Sequence, residues 1–179
     1  GSPKSDRVAQ TKREDLQIPE PWREIITKPD GSRKKIILYN TGVDALLKQG
    51  DLMLKKIRDV LRIFEENRKE AALLWRPHPL IRATIASMRP QLWKEYEEIV
   101  QKYCKEGWGI YDDTADMTKT IALSDIYIGD SGTSVTSLFG IVGKPLFILN
   151  NRIHTLPEED DWRGEYINPI FDRWGDDRY

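Results

Sequence analysis

Five short apolar runs, each ending on polar or glycine residues and separated by longer connecting segments, leave this chain few ways to fold. The runs are Lys35 to Asn40, Ala72 to Trp75, Gly109 to Tyr111, Ile126 to Ile128 and Pro145 to Leu149. They are continuous rather than alternating, which is the pattern of strands covered on both faces. After the first run, Leu52, Leu54, Ile57, Val60, Leu61 and Phe64 recur at helical spacing, opposite Lys55, Lys56, Arg58, Asp59 and Glu65. That spacing predicts an amphipathic helix over roughly 52–69 with a solvated basic face. A second helix is expected from Pro90 to Tyr103, with Leu92, Tyr96, Ile99 and Val100 inward. A short one is expected at Met117 to Leu123, capped by Asp116, and another from Thr133 to Val142. Strands joined by helical crossovers pair in parallel. The expected fold class is therefore α/β: a Rossmann-like parallel sheet of about five strands with helices on both faces.

The 179 residues admit one such domain, expected at 34–150, and leave no room for a second. Residues 1–33 hold Pro3, Pro19, Pro21 and Pro29 and show no sustained period, so they are expected to form a linker with one short helix, pinned by Trp22, Ile25 and Ile26. Residues 151–179 are expected to be loop with some helix, packing on the domain or crossing to one absent from this chain. The start at Gly1-Ser2, without Met, fits either a cloning scar or a piece cut from a longer protein. Lys plus Arg (28) and Asp plus Glu (29) nearly cancel, so net charge calls for no nucleic-acid partner. The single Cys104 can form no internal disulfide or cysteine metal site, which suits a reducing cytoplasm. No apolar run approaches the roughly 18 residues of a membrane span.

In an open parallel sheet, ligands bind beyond the carboxyl ends of the strands. The polar residues concentrate there: Asn40, Thr41 and Gly42; Arg76-Pro77-His78-Pro79; Asp112 and Asp113; Asp130-Ser131-Gly132-Thr133-Ser134; and Asn150 and Asn151. Glycine and small hydroxyl residues entering a helix present backbone N–H groups and hydroxyls that suit a phosphate, although Ser131, Thr133 and Ser134 would equally serve as caps. His78 lies between prolines directly after a strand, and Arg76 beside it could grip phosphate oxygens in a fork. Asp112 and Asp113 suit either a ribose hydroxyl or capping, with capping the commoner fate. Lys144 is expected in a surface turn at the opposite edge of the sheet, and Trp75, Trp93 and Trp108 in the core. His154 falls in the unassigned tail. Neither GxGxxG nor GxxxxGKS occurs, so the dinucleotide and P-loop fingerprints do not apply.

At these same loops the sequence resembles the CDP-glycerol glycerophosphotransferases, which build teichoic-acid-type polymers. Gly1-Ser2-Pro3-Lys4-Ser5-Asp6 looks like the segment that enters their second half, and Arg76-Pro77-His78-Pro79 matches their Arg-Pro-His-Pro. Ser124-Asp125, Gly129-Asp130, Thr133-Ser134 and Gly143-Lys144-Pro145 follow the family's order, so the resemblance covers about 1–150. It implies the C-terminal half of a GT-B fold that holds a nucleotide-activated donor, CDP-glycerol, as substrate, with no separate cofactor and no metal. It carries the pyrophosphate contacts to His78, Thr133 and Ser134, with Arg76 in support and His78 as the catalytic group. The acceptor, a polymer or glycan, and its base would come through an absent N-terminal domain. Alone, the chain is expected to bind nucleotide weakly and be inactive. The whole protein would be cytoplasmic, at the inner face of a membrane with peripheral attachment. Two departures stand out: the Asp130 to Ser134 loop is one residue longer than the family's, and Thr136, Ser137 and Leu138 stand where an acidic residue is common.

Two other functions compete. A UDP-sugar-dependent glycosyltransferase or a UDP-N-acetylglucosamine 2-epimerase-like enzyme shares the half-fold, but those proteins usually place a ribose-binding Glu in the helix after this turn, and Ser134 to Val142 has none. A non-catalytic nucleotide or phosphosugar binding domain would show the same loops and tolerate loss of His78. A receiver-type signalling domain is disfavoured, because Asn40-Thr41-Gly42 stands where its acidic pair should follow the first strand.

Overall fold

The computed structural model describes residues 3–131 and 133–149. Five parallel strands form one sheet in the order β3-β2-β1-β4-β5: β1 (Lys35–Thr41), β2 (Ala71–Pro77), β3 (Ile110–Tyr111), β4 (Ile126–Gly129) and β5 (Leu146–Ile148). This is the expected Rossmann-like α/β fold. Successive side chains point to opposite faces of a strand, and β1 shows the result. Ile37 and Tyr39 enter the core beneath α3 (Val43–Gln49), α4 (Asp51–Glu66), α5 (Ile81–Met88) and α6 (Trp93–Glu106). Ile36 and Leu38 enter the opposite core, with α1 (Pro3–Gln10), α7 (Met117–Leu123) and α8 (Ser134–Ile141). Both faces are dry, which is why the strands are continuously apolar.

Several expectations change in detail. Residues 3–33 carry three helical segments, α1, a 3-10 turn at Arg13–Asp15 and α2 (Glu20–Ile26), and bury Val8 and Ile26. The stretch expected to be a linker is thus packed on the sheet. Helices α3 and α5 were not foreseen. On α4 the inward face is shifted: Leu52 is exposed, whereas Met53, Leu54, Lys56, Ile57 and Leu61 are buried. Trp75 is in the core as expected, with edge-on contacts to Tyr96, Tyr103 and Tyr111, but Trp93 is partly exposed at the surface. Asp116 caps α7 as expected, accepting from the backbone N–H groups of Thr118 and Lys119.

Two motif residues clamp the end of the sheet away from the strand carboxyl ends. The Lys144 ammonium donates to the carbonyls of Ile121 (2.8 Å), Ala122 (3.1 Å) and Ser124 (2.7 Å), closing the carboxyl end of α7 where a cation is favoured. It is a helix clamp, not a free surface turn. Asp125 accepts from Arg13 (2.8 Å), from both guanidinium nitrogens of Arg33 (2.6 and 3.0 Å) and from the backbone N–H of Ile36 (2.8 Å). Burial pushes the Asp125 carboxyl up, but the hydrogen bonds from Arg33, Ile36 and Arg13 outweigh it and hold the group well below the usual carboxylate range. A depressed folded-state pKa contributes stability that is complete above the unfolded value of about 3.9 and is lost as pH falls toward the folded value. Acid unfolding should therefore steepen below about pH 4, and Asp125→Asn should flatten that limb while lowering stability at pH 7 by roughly 1–3 kcal/mol. Denaturant melts of both proteins between pH 3 and 7 check this, and parallel acid limbs would count against it.

Candidate functional site

Strands β2, β1 and β4 are neighbours, with Asn40 opposite Arg76 on one side and Gly129 on the other. Their carboxyl ends therefore bring together the Asn40-Thr41-Gly42 turn, the His78 loop and the loop into α8. The sheet order reverses direction between β1 and β4, the place where a crevice opens in such sheets.

The β1 end is held by side chains behind it. Asn40 is buried, and its amide donates to the Arg76 carbonyl at 2.7 Å. The Thr41 hydroxyl accepts from the Trp75 indole at 3.2 Å. The Thr41 carbonyl accepts from the His78 backbone N–H at 2.9 Å, tying the proline-flanked loop to β1. Gly42 lies against Thr133: a Cβ there would approach the Thr133 methyl to 3.4 Å. Gly129 is forced to be glycine, because its φ is +151° and a Cβ would fall 2.2 Å from the Asn40 carbonyl oxygen.

Asp130 is almost fully buried beneath this turn. One carboxylate oxygen accepts from the Gly42 backbone N–H at 2.7 Å, and the other from the Lys56 ammonium at 2.7 Å, with both side chains at least 94% buried. Lys56 had been assigned to a solvated face with Lys55 and Arg58. The structure moves it inside. The only sequence hint is its place in the 53, 54, 56, 57 group of buried positions on α4. An unpaired Asp130 would leave a bare charge buried beneath the turn. The Lys56 contact neutralises it and leaves the carboxylate as a brace for the turn.

The opening of α8 divides its hydroxyls between two tasks. Thr133 is the N-cap: its hydroxyl accepts from the Thr136 N–H at 3.1 Å and lies 2.8 Å from the Thr136 hydroxyl. Tyr127 donates to the Asp130 carbonyl at 2.8 Å and fixes the loop from below. Ser131 and Ser134 are exposed, and their hydroxyls make no side-chain hydrogen bond among the described residues. Capping accounts for Thr133, while Ser131, Ser134 and the first turn of α8 face outward with donors to offer. Gly132, Asn150, Asn151 and His154 lie outside the described residues.

His78 is half-buried, and its Nδ1 accepts from the Leu80 backbone N–H at 3.2 Å. A neutral imidazole accepting at Nδ1 carries its proton on Nε2, so the ring offers that proton as a donor.

Arg76 does not meet the expectation of a guanidinium open to phosphate. It is buried and paired with Asp112 at 2.6 Å, and its second nitrogen donates to the Thr114 carbonyl at 2.6 Å. Asp112 is fully buried and also accepts from the Thr114 backbone N–H at 3.0 Å and from the Thr120 hydroxyl. The pair joins β2 to the loop after β3 and is spent within the fold. Asp113 is exposed one strand further out. No group of His, Cys, Asp and Glu side chains suited to a metal occurs among the described residues, nor does a helix long and apolar enough to cross a membrane.

No family model and no curated protein matches the sequence. Among solved structures, the chain is similar to a variant of the wall teichoic acid polymerase TagF, with 19% sequence identity and a TM-score of 0.46 over 81% of this chain. That match takes in 32% of the polymerase, so the chain spans about a third of its length.

Proposed function

We propose that this chain is the donor-binding half of a transferase of the CDP-glycerol glycerophosphotransferase type. The observation that supports this best is the meeting of His78, the Gly42 turn and the start of α8 at three adjacent strand ends, with the nearby Asp130 charge neutralised by Lys56. In this proposal the donor pyrophosphate lies over the first turn of α8, with Ser131 and Ser134 donating to its oxygens. His78 donates from Nε2 to an oxygen whose charge grows as the glycerol phosphate group leaves for an acceptor hydroxyl. Thr133, Asn40, Thr41 and Asp130 hold the backbone that does the binding, and Arg76 with Asp112 holds the strand end beneath His78. The acceptor and the base that deprotonates it belong to a part of the protein outside this chain. A cytoplasmic enzyme working at the inner face of a membrane goes with that chemistry.

Calorimetric and thermal-shift titrations with CDP, CDP-glycerol, UDP and UDP-N-acetylglucosamine test the proposal, because a ligand that binds the native state raises its stability by mass action. Cytidine ligands are expected to bind selectively, and His78→Ala should weaken them about tenfold, or roughly 1.4 kcal/mol. Ser131→Ala/Ser134→Ala should do the same. A uridine preference would move the assignment to a UDP-sugar enzyme. Cytidine binding unaffected by either variant would leave a binding domain whose site lies elsewhere.

A further inference from the structure

A second cleft lies at the opposite end of the sheet, where the strands begin. It is walled by the turn before β1, the α4–β2 connection and the α6–β3 connection, and is an open depression of about 610 Å³, within the range of small-ligand sites. Lys28, Lys34, Arg68 and Lys69 line it, with Glu24 as its acidic lining residue and Trp108 forming an aromatic wall. Trp108 is braced edge-on by Tyr103 at 4.9 Å and donates its indole N–H to Glu106 at 3.2 Å. Since β1 runs seven residues from this end to the turn at Gly42, the two sites are about 20 Å apart.

The cations in this cleft are incompletely balanced. Lys28 is paired with Glu70 at 2.6 Å, and Arg68 makes one exposed 3.7 Å contact with Glu65. Lys34 and Lys69 make no ion pair among the described residues. Burial, and then the charges of Lys28 and Arg68, push the Lys34 ammonium below its ordinary value, and the opposing pull of Glu70 does not restore it. A chain with a net charge of -1 has gathered four cations around one concavity. Like charges held together in a partly desolvated cleft are unfavourable until an anion joins them.

We infer that this cleft binds a phosphate-bearing anion, with Lys34, Arg68 and Lys69 contacting the phosphate and Trp108 flanking the organic part of the ligand. Arg68 can grip two phosphate oxygens in a fork, and the lysines add point charges from either side. The same chemistry serves a soluble phosphate compound or the headgroup of an anionic lipid. The inference does not depend on the donor-site proposal, because it uses none of its residues.

Two probes separate the sources: calorimetric titration with inorganic tripolyphosphate, and flotation with vesicles of phosphatidylglycerol against phosphatidylcholine alone. Each is run on the unaltered chain, on Lys34→Gln/Arg68→Gln and on His78→Ala. All of the substituted side chains lie outside the buried core, and unchanged melting temperatures would confirm intact folding. The expected result is binding to at least one probe that falls tenfold or more in Lys34→Gln/Arg68→Gln, weakens with salt and persists in His78→Ala. Tripolyphosphate binding assigns a soluble ligand, and vesicle binding alone assigns a lipid headgroup. Failure to bind either probe, equal binding by the Lys34→Gln/Arg68→Gln variant, or loss in His78→Ala would overturn the inference.

Discussion

Arg76→Met should cost the chain about 3–5 kcal/mol of stability, the usual penalty for stranding one member of a buried ion pair. Asp112 is fully buried, so without the guanidinium its charge has only hydrogen bonds from Thr114 and Thr120 to offset desolvation. For a chain of this size the melting temperature should fall by roughly 8–15 °C. The double variant Arg76→Met/Asp112→Leu should recover part of the loss, since removing both charges removes the stranded one. A single variant that melts within a few degrees of the unaltered chain would mean that the guanidinium is not committed to Asp112. It would then be open to the ligand-gripping role that its position at the carboxyl end of β2 first suggests.

A similar loss of about 3–5 kcal/mol is expected from Lys56→Met, for the same reason at the other side of β1. Here the stranded group is Asp130, whose remaining side-chain contact is the Gly42 N–H. Under the proposed function the consequence also reaches ligand binding. An uncompensated carboxylate under the turn would repel a pyrophosphate as well as loosen the turn, so donor affinity should fall more than in His78→Ala. Urea unfolding combined with nucleotide titration separates the two effects. Lys56→Met/Asp130→Asn should regain stability relative to Lys56→Met. If it does not, the pair is not what holds the turn.

These two ion pairs also show where sequence reasoning succeeds and stops. The strands were legible because a strand buried on both faces must be apolar throughout, and α7 was legible because Asp116 marks its start. The pairs were not. Arg76 lies on β2 and Asp112 in the loop after β3, 36 positions apart, and Lys56 and Asp130 are 74 apart. Nothing local distinguishes a buried lysine from its solvated neighbours Lys55 and Arg58 when all three sit in one charged helix segment. Helices α3 and α5, at seven and eight residues, are too short to establish a period. The packing of residues 3–33 was legible only in part: Trp22, Ile25 and Ile26 do pack on the core as the sequence suggests, but Val8 and Arg13 are single anchors outside any continuous apolar stripe. The candidate site was located by topology alone, since knowing which strands are parallel identifies the end where loops gather. Which side chains in those loops face outward required the structure.

The sheet order also governs how the chain acquires its shape. Strand β1 pairs first with β2, an interval bridged by α3 and α4, but its other edge must wait for β4, about 90 residues later in the chain. Until β4 arrives, the Gly42 N–H lacks its Asp130 acceptor, so half of β1 and the crevice beside it stay incomplete. A ribosome-bound chain truncated after β3 would hold one packed face and one open strand edge, the kind of edge that recruits other chains. The same pairing that places a crevice at the reversal of the sheet makes that crevice depend on contacts between distant parts of the sequence.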